Sequence, residues 1–226
     1  MSTIRVAVDG PSGAGKSTLA RAAASALGFL YVDTGAIYRT VGLSVRDRGA
    51  DPGDEPAVAD ILPSLRVELR YDEAGRQRML LNGRDVSEEI RLPEISRYAS
   101  AVSALPVVRA YLMETQRELA RRNNVIMDGR DIGTVVLPDA EVKVYLTASA
   151  QVRAERRCRE LEERGTPQPF EEVLRDIEDR DYRDTHREAA PLRQAEDAVP
   201  LDTSALDFQQ SLEALLRLVR ERMAGL

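Results

Sequence analysis

Short, nearly continuous apolar runs recur along the chain, at residues 4–8, 30–32, 125–127, 142–146 and 198–201, interrupted by charge only at Arg5 and Lys143. Runs of this length that do not alternate with polar residues mark strands covered on both faces, so the pattern predicts five buried parallel strands. Helical periodicity fills the intervals, over 17–27, 36–48, 106–122, 149–164, 170–182 and 208–223. Strands alternating with helices predict an α/β fold, a parallel sheet covered by helices on both faces. One stretch breaks the rhythm. Residues 65–71 and 78–81 alternate instead, are joined across Glu73-Ala74-Gly75 and are followed by Asn82-Gly83, which predicts a small inserted antiparallel β subdomain. The segment from Gly49 to Pro56, rich in Pro, Gly and Asp, reads as a surface linker.

At 226 residues, with 43% hydrophobic and 31% charged residues, the chain is long enough to bury a sizeable core without a disulfide or metal staple. That composition excludes collagen, low-complexity disorder and most repeat arrays. The longest nearly apolar run, residues 22–32, is interrupted by Ser25 and Gly28. It falls far short of the ~20 residues that span a bilayer. Near the N-terminus Arg5 and Asp9 bracket only a few apolar residues, which predicts no signal peptide and a cytoplasmic protein. The single cysteine, Cys158, fits a reducing compartment. A net charge of -6 argues against a general nucleic-acid binder, so any basic site is local. Only two of the 32 basic residues are lysines, Lys16 and Lys143, and Lys16 calls for its own explanation.

Four of the five predicted strands end on a carboxylate, at Asp9, Asp33, Asp128 and Asp202. Ligands of open parallel sheets bind at the carboxyl edge, which marks that edge as the active one. Directly after the first strand, Gly10-Pro11-Ser12-Gly13-Ala14-Gly15-Lys16-Ser17, followed by Thr18, fills the defined positions of a phosphate-binding P-loop. The glycines let successive backbone N–H groups and the helix N-terminus face a phosphate. Lys16 then neutralises the β and γ charges, and Ser17 reaches magnesium. A GTPase switch is disfavoured, because the only other lysine, Lys143, lies inside a predicted strand and no Asn-Lys-x-Asp signature exists. The Leu-Ser-Gly-Gly-Gln signature of transporter-type ATPases is also missing. A kinase for a small acceptor remains, with a module that binds ATP without turning it over as the alternative from another class.

Two further segments sit where an acceptor belongs. Asp33-Thr34-Gly35-Ala36-Ile37-Tyr38-Arg39 follows the second strand, with Thr34 expected to cap the helix and Arg39 one turn inside it. Asp128-Gly129-Arg130-Asp131-Ile132-Gly133-Thr134 follows the third, on a loop too glycine-rich for a packed helix. Asp128 either holds the magnesium shell or caps the following turn, which leaves Arg130 and Asp131 for an acceptor. Arg180, Arg183, Asp184 and Arg187 recur at helical spacing as one charged stripe. The stripe is either a solvated face or a set of cations that spreads the charge of a transferring phosphoryl group. Arg153, Arg156 and Arg157 precede Gly165-Thr166-Pro167, a helix and turn that fit a mobile cover excluding water. The sole histidine, His186, lies off the stripe and takes no catalytic role.

In these motifs, and in their order over essentially the whole chain, the sequence resembles the bacterial cytidylate kinases of the nucleoside monophosphate kinase family. Adenylate kinases share the P-loop but carry Asp-Gly-Phe-Pro where this chain has Asp128-Gly129-Arg130-Asp131. The resemblance implies a P-loop NTPase fold with a core of residues 1–33, 106–150 and 168–226. It further implies a monophosphate-binding domain, 34–105, with its β insertion at about 63–90, and a lid at 151–167. The implied reaction is magnesium-assisted transfer of the γ-phosphoryl group of ATP to CMP or dCMP. Lys16, Arg130, Arg156, Arg180 and Arg187 are then the catalytic cations, and Ser17 and Asp128, the latter through water, hold the metal. Arg39 and Arg130 clamp the acceptor phosphate, while Ser100, Arg109 and Asp131 read cytosine. Arg180 and Asp184 contact the ribose, Arg187 lies near the phosphates or base, and Thr34 and Tyr38 lie beside the substrate. Thr34 stands where the family has serine and retains the hydroxyl. A carboxylate paired with a guanidinium matches the amino donor and ring acceptors of cytosine and mismatches uracil. A kinase for UMP or a sugar acid is the nearest alternative. The expected partners are the two nucleotides, with no nucleic acid and no membrane, and without a heptad or large apolar helix face the chain is expected to be a monomer.

Overall fold

The continuous apolar runs form one five-stranded sheet, as their lack of alternation requires. The computed structural model describes residues 3–225. In chain order its elements are β1 (Arg5–Asp9), α1 (Lys16–Leu27), β2 (Leu30–Asp33), α2 (Thr34–Asp47), α3 (Glu55–Ile61), β3 (Val67–Tyr71), β4 (Gln77–Leu81) and β5 (Arg84–Asp85). Then follow α4 (Pro93–Val102), α5 (Pro106–Arg122), β6 (Val125–Gly129), a π-helical turn (Ile132–Val136), β7 (Val142–Thr147), α6 (Ala150–Glu163), α7 (Phe170–His186), β8 (Val199–Asp202) and α8 (Phe208–Ala224). The chain divides into two compact units, Met1–Tyr31 with Arg122–Leu226, and Val32–Arg121. Among the described residues no helix is long and apolar enough to cross a membrane.

The sheet runs in the order β2-β6-β1-β7-β8. β1 lies at its centre and pairs in parallel with β6 on one side and β7 on the other, which explains why Val6, Ala7 and Val8 are fully buried. Leu19, Ala20 and Ala23 of α1 and Leu215 and Val219 of α8 form one core with Val6, Val8, Ile126, Val142, Val144 and Leu146. Each buried Val or Leu there contributes on the order of 2 kcal/mol. A smaller core, Ala154, Leu161, Val173 and Ile177, joins α6 to α7, with Cys158 packed against it.

In the second unit β3, β4 and β5 form a separate antiparallel sheet. The sequence pattern predicts two strands here, and the structure adds a third. Asn82 and Gly83 both take positive φ, 52° and 84°, and this two-residue turn folds Arg84–Asp85 back onto β4. The expected linker over 49–56 is shorter than the composition suggests. Asp54 caps α3 through Ala57 N–H at 3.1 Å, and Pro56 lies in the first turn, where its missing N–H costs nothing. α4 is not among the helices the sequence pattern predicts, although Ile95, Ala99 and Val102 recur on one buried face.

α2 and α4 pack closely, and Gly42 is the reason they can. A Cβ built on it would stand 2.9 Å from the Ala99 backbone nitrogen and 3.2 Å from the Tyr98 carbonyl carbon. Helix propensity alone favours alanine over glycine by about 1 kcal/mol. The opposing atoms are backbone and cannot rotate away, so overpacking outweighs propensity. We therefore expect Gly42→Ala to lower stability by about 1–3 kcal/mol, read as a reduced urea midpoint with unchanged slope. A raised midpoint would mean that α4 shifts to make room.

Candidate active site

The loop between β1 and α1 begins with an enforced backbone approach. Gly10 has φ 153°, and a Cβ there would lie 1.9 Å from the carbonyl oxygen of Leu146 on the neighbouring β7, so no side chain fits. Two arginines of α6 then hold the outer side of the loop. Arg153 donates from its NH1 to Ser12 O at 2.9 Å and from Nε to Ala148 O at 2.9 Å, while Asp181 of α7 pairs with its third nitrogen at 2.6 Å. Arg156 donates to Ala14 O at 3.5 Å and to Thr203 O at 2.7 Å. Carbonyl and following N–H point in opposite directions across a trans peptide. With the Ser12 and Ala14 carbonyls turned to the arginines, the N–H groups of Gly13 and Gly15 are turned the other way, as an anion cradle requires.

Buried charges gather beside this loop. Lys16, 6% exposed, donates to Pro11 O at 2.7 Å. Burial, and then the nearby guanidiniums of Arg130 and Arg180, hold its pKa well below the usual lysine range, against the opposing pull of Asp128 and Asp9. A polyanion among these cations would reverse that shift. Ser17 Oγ donates to Asp128 Oδ2 at 2.8 Å, and Tyr31 OH donates to Asp128 Oδ1 at 2.9 Å. A hydroxyl beside a buried carboxylate is a hard oxygen donor set that fits magnesium. Among the described residues no group of three or more His, Cys, Asp or Glu could hold a metal ion, and a magnesium site shared with phosphate and water needs no such cage.

Asp9, at the end of β1, reaches across to the segment after β6. Its Oδ1 accepts Ile132 N–H at 2.8 Å and its Oδ2 accepts Gly133 N–H at 2.7 Å. The expected loop over 128–134 thus ends in a π-helical turn: the two N–H groups are taken by Asp9, and the turn closes instead with Val135 and Val136 donating to Asp131 O. Just before it, Arg130 Nε donates to Asp184 Oδ2 at 2.7 Å, and Arg187 lies 3.5 Å from Asp131 Oδ1. Asp131 and Asp184 are both buried. Burial alone would raise the Asp184 pKa, but Arg130, Arg180 and Arg187 together hold it below the usual carboxylate range. Arg130, likewise desolvated, is kept above its ordinary value by Asp184 and Asp128.

The arginine stripe of 180–187 divides. Asp184 turns inward with Arg180, whereas Arg183 is exposed and donates back to Asp179 O of its own helix. α7 stops at His186, so Arg187 is an extended residue beyond the helix and reaches Asp131 from there, with Nε donating to Ala190 O at 2.8 Å. His186 is exposed and stacks on Tyr182. Arg157 pairs with Glu160 on the surface, apart from Arg153 and Arg156. The strand-end carboxylates divide as well, because Asp202 is exposed and holds the Ser204 N–H and hydroxyl.

A second group of side chains lies within the other unit. Asp33, not Thr34, caps α2: its Oδ1 accepts Ala36 N–H at 2.9 Å, since β2 runs straight into the helix and Asp33 is the last extended residue. Thr34 is the first helical residue and is buried. Arg39 NH1 lies 3.8 Å from Asp33 Oδ2. Arg109 of α5 sits over the Tyr38 ring, 5.8 Å from its centroid, and donates to Ser103 O at 3.1 Å, one turn from Ser100. Sequence reasoning missed Tyr31, Asp181 and the Asp9 contacts, because nothing in their local pattern shows which partner the fold brings.

Burial pushes the Asp9 pKa up to about 6, with Asp131 adding to the rise, while the Gly133 and Ile132 N–H groups and Lys16 oppose it. The folded state therefore binds more protons than the unfolded one between about pH 4 and 6, and stability carried by the protonated acid is lost as pH rises through 6. Relative to the non-titrating Asp9→Asn, the wild type should gain about 1 kcal/mol between pH 7 and pH 5, measured by urea unfolding at both. A pH-independent difference would mean that the carboxyl keeps its ordinary proton affinity.

Comparison with known proteins matches residues 6–221 to the family profile described as cytidylate kinase. A cytidylate kinase of Lactobacillus gasseri is 46% identical over 219 residues, covering 97% of this chain and 95% of its own. One of Caldicellulosiruptor bescii is 47% identical over 96% of both chains, and one of Carboxydothermus hydrogenoformans is 48% identical over 96% of this chain and 97% of its own. The chain belongs to the cytidylate kinase family.

Proposed function

We propose that the protein transfers the γ-phosphoryl group of ATP to CMP or dCMP, giving ADP and the nucleoside diphosphate. The observation that carries this reading is the phosphate cradle of residues 10–18 in one unit with the ion-paired Arg130, Asp131, Asp184 and Arg187, in a chain of this family. The triphosphate lies on the loop N–H groups and Lys16, whose positive charge is favoured once phosphate arrives. Arg180 and Arg187 spread the charge of the phosphoryl group in flight, and Arg156 joins them only by leaving Ala14 O and Thr203 O, which it holds on the outer side of the loop. Magnesium held by Ser17 and, through water, by Asp128 neutralises the phosphate oxygens. No covalent enzyme intermediate is needed, because in-line transfer depends on positioning and cations.

On the acceptor side Arg39 and Arg130 take the monophosphate, with Thr34 and Tyr38 beside it. Ser100, Arg109 and Asp131 read the base, and Arg180 and Asp184 take the ribose. Asp131 accepts from the cytosine amine, where uracil presents a carbonyl. The protein works in the cytoplasm and as a monomer, the latter reading supported by exposed large apolar side chains that are few among the described residues: Leu92, Tyr182 and Phe208.

The test is ADP release with magnesium-ATP against CMP, dCMP, UMP, AMP, GMP and two sugar acids. Fast turnover on CMP and dCMP alone is expected, turnover mainly on another acceptor would discard the cytosine pocket, and none would favour a binding module. Lys16→Ala should cut kcat by about two to three orders of magnitude in a folded protein, and near-normal turnover would remove the P-loop from the mechanism. Asp131→Ala should narrow the CMP-over-UMP preference by roughly ten- to a hundredfold while leaving the KM for ATP in place. An undiminished preference would show that another group reads the base.

A further inference from the structure

The small sheet of β3, β4 and β5 has no assigned part in the reaction, yet one of its side chains grips the residue on which the acceptor segment begins. Gln77 opens β4. Its Oε1 accepts the Asp33 backbone N–H at 2.8 Å and its Nε2 donates to the Asp33 carbonyl at 3.2 Å. One amide thus satisfies both backbone groups of a residue at the end of β2, an edge strand, much as a neighbouring strand would. The amide is itself held in place. Its Nε2 also approaches Met79 Sδ at 3.3 Å, and Met79 is buried with its N–H donating to Ser87 Oγ. The turn just before Gln77 is organised by Asp72, whose carboxylate accepts from Ala74 N–H, Arg76 N–H and Arg76 Nε at 2.9–3.0 Å.

Asp33 passes this restraint on. Its backbone is held by Gln77, its Oδ1 caps α2 through Ala36 N–H, and its Oδ2 lies 3.8 Å from the Arg39 guanidinium. We infer that Gln77 is a positioning residue for acceptor binding: through its two bonds to Asp33 it sets the first turn of α2 and the place of Arg39. The inserted sheet thereby contributes to acceptor affinity without touching the acceptor. The inference rests on the proposed role of Arg39 at the acceptor phosphate.

Gln77→Met keeps the length and bulk of the side chain but makes neither bond, and Gln77→Glu keeps the acceptor while setting a carboxylate against the Asp33 carbonyl. Steady-state kinetics with CMP and ATP varied in turn, on Gln77→Met, Arg39→Ala and the double variant, tests the proposal. We expect the KM for CMP to rise about tenfold in Gln77→Met, with the KM for ATP unchanged and the thermal midpoint lowered by only a few degrees, the cost of the two lost bonds. In the Arg39→Ala background the same substitution should add less than twofold, because the residue acts through Arg39. If Arg39→Ala raises the KM for CMP and Gln77→Met does not, the positioning role is overturned and the acceptor assignment stands. A rise in both KM values, or full additivity with Arg39→Ala, would also overturn it, by showing a general structural effect. If Arg39→Ala itself leaves the KM for CMP unchanged, the acceptor assignment falls and the role of Gln77 with it. Should Gln77→Met fail to fold, Gln77→Glu is read by the same criteria.

Discussion

The bond pair from Asp9 to the Ile132 and Gly133 N–H groups joins two segments far apart in sequence: the loop that cradles phosphate and the turn that presents Arg130 and Asp131. A buried carboxylate is a costly tie, since desolvation disfavours its charge. Two backbone donors, and Lys16 close enough to act on it, oppose that cost without cancelling it. With this link in place, Arg130 can meet Asp184 and Asp131 can meet Arg187, and the parallel strands at the centre of the sheet hold both segments at one edge.

Almost every charged group around the cradle serves twice. Asp184 lowers the cost of burying Arg130 and is itself held ionised by three guanidiniums. Asp128 accepts from Ser17 and Tyr31, which fixes both of its oxygens. Breaking one member of such a network leaves a buried charge without compensation, which costs more than the pair contributes. The site is therefore assembled as a unit, with geometry set in advance of the chemistry.

The sheet and the cradle were legible in the sequence because they rest on local signals: continuous apolar runs, a glycine-rich loop at fixed spacing and the helix that follows. The third strand of the small sheet was only half legible, since Asn82-Gly83 announces a turn but Arg84–Asp85 is too short and polar to read as a strand. α3 was hidden by Pro56, a residue that breaks helices everywhere except in their first turn. The cap of α2 fell on Asp33 rather than Thr34 because the strand ends one residue later than its apolar run. Partners separated by about a hundred residues, such as Tyr31 with Asp128, have no local signature, and only the folded chain supplies them.

The arginines of α6 on the carbonyls of Ser12 and Ala14 bear on how tightly an anion is held. A glycine-rich loop is among the most disordered of chain segments when unrestrained, and ordering it at the moment of binding would subtract from affinity. Here that order is acquired during folding. Binding of a nucleotide phosphate consequently costs little further conformational entropy in the loop, and the thermodynamic signature to be expected is dominated by electrostatics and released solvent rather than by coupled folding.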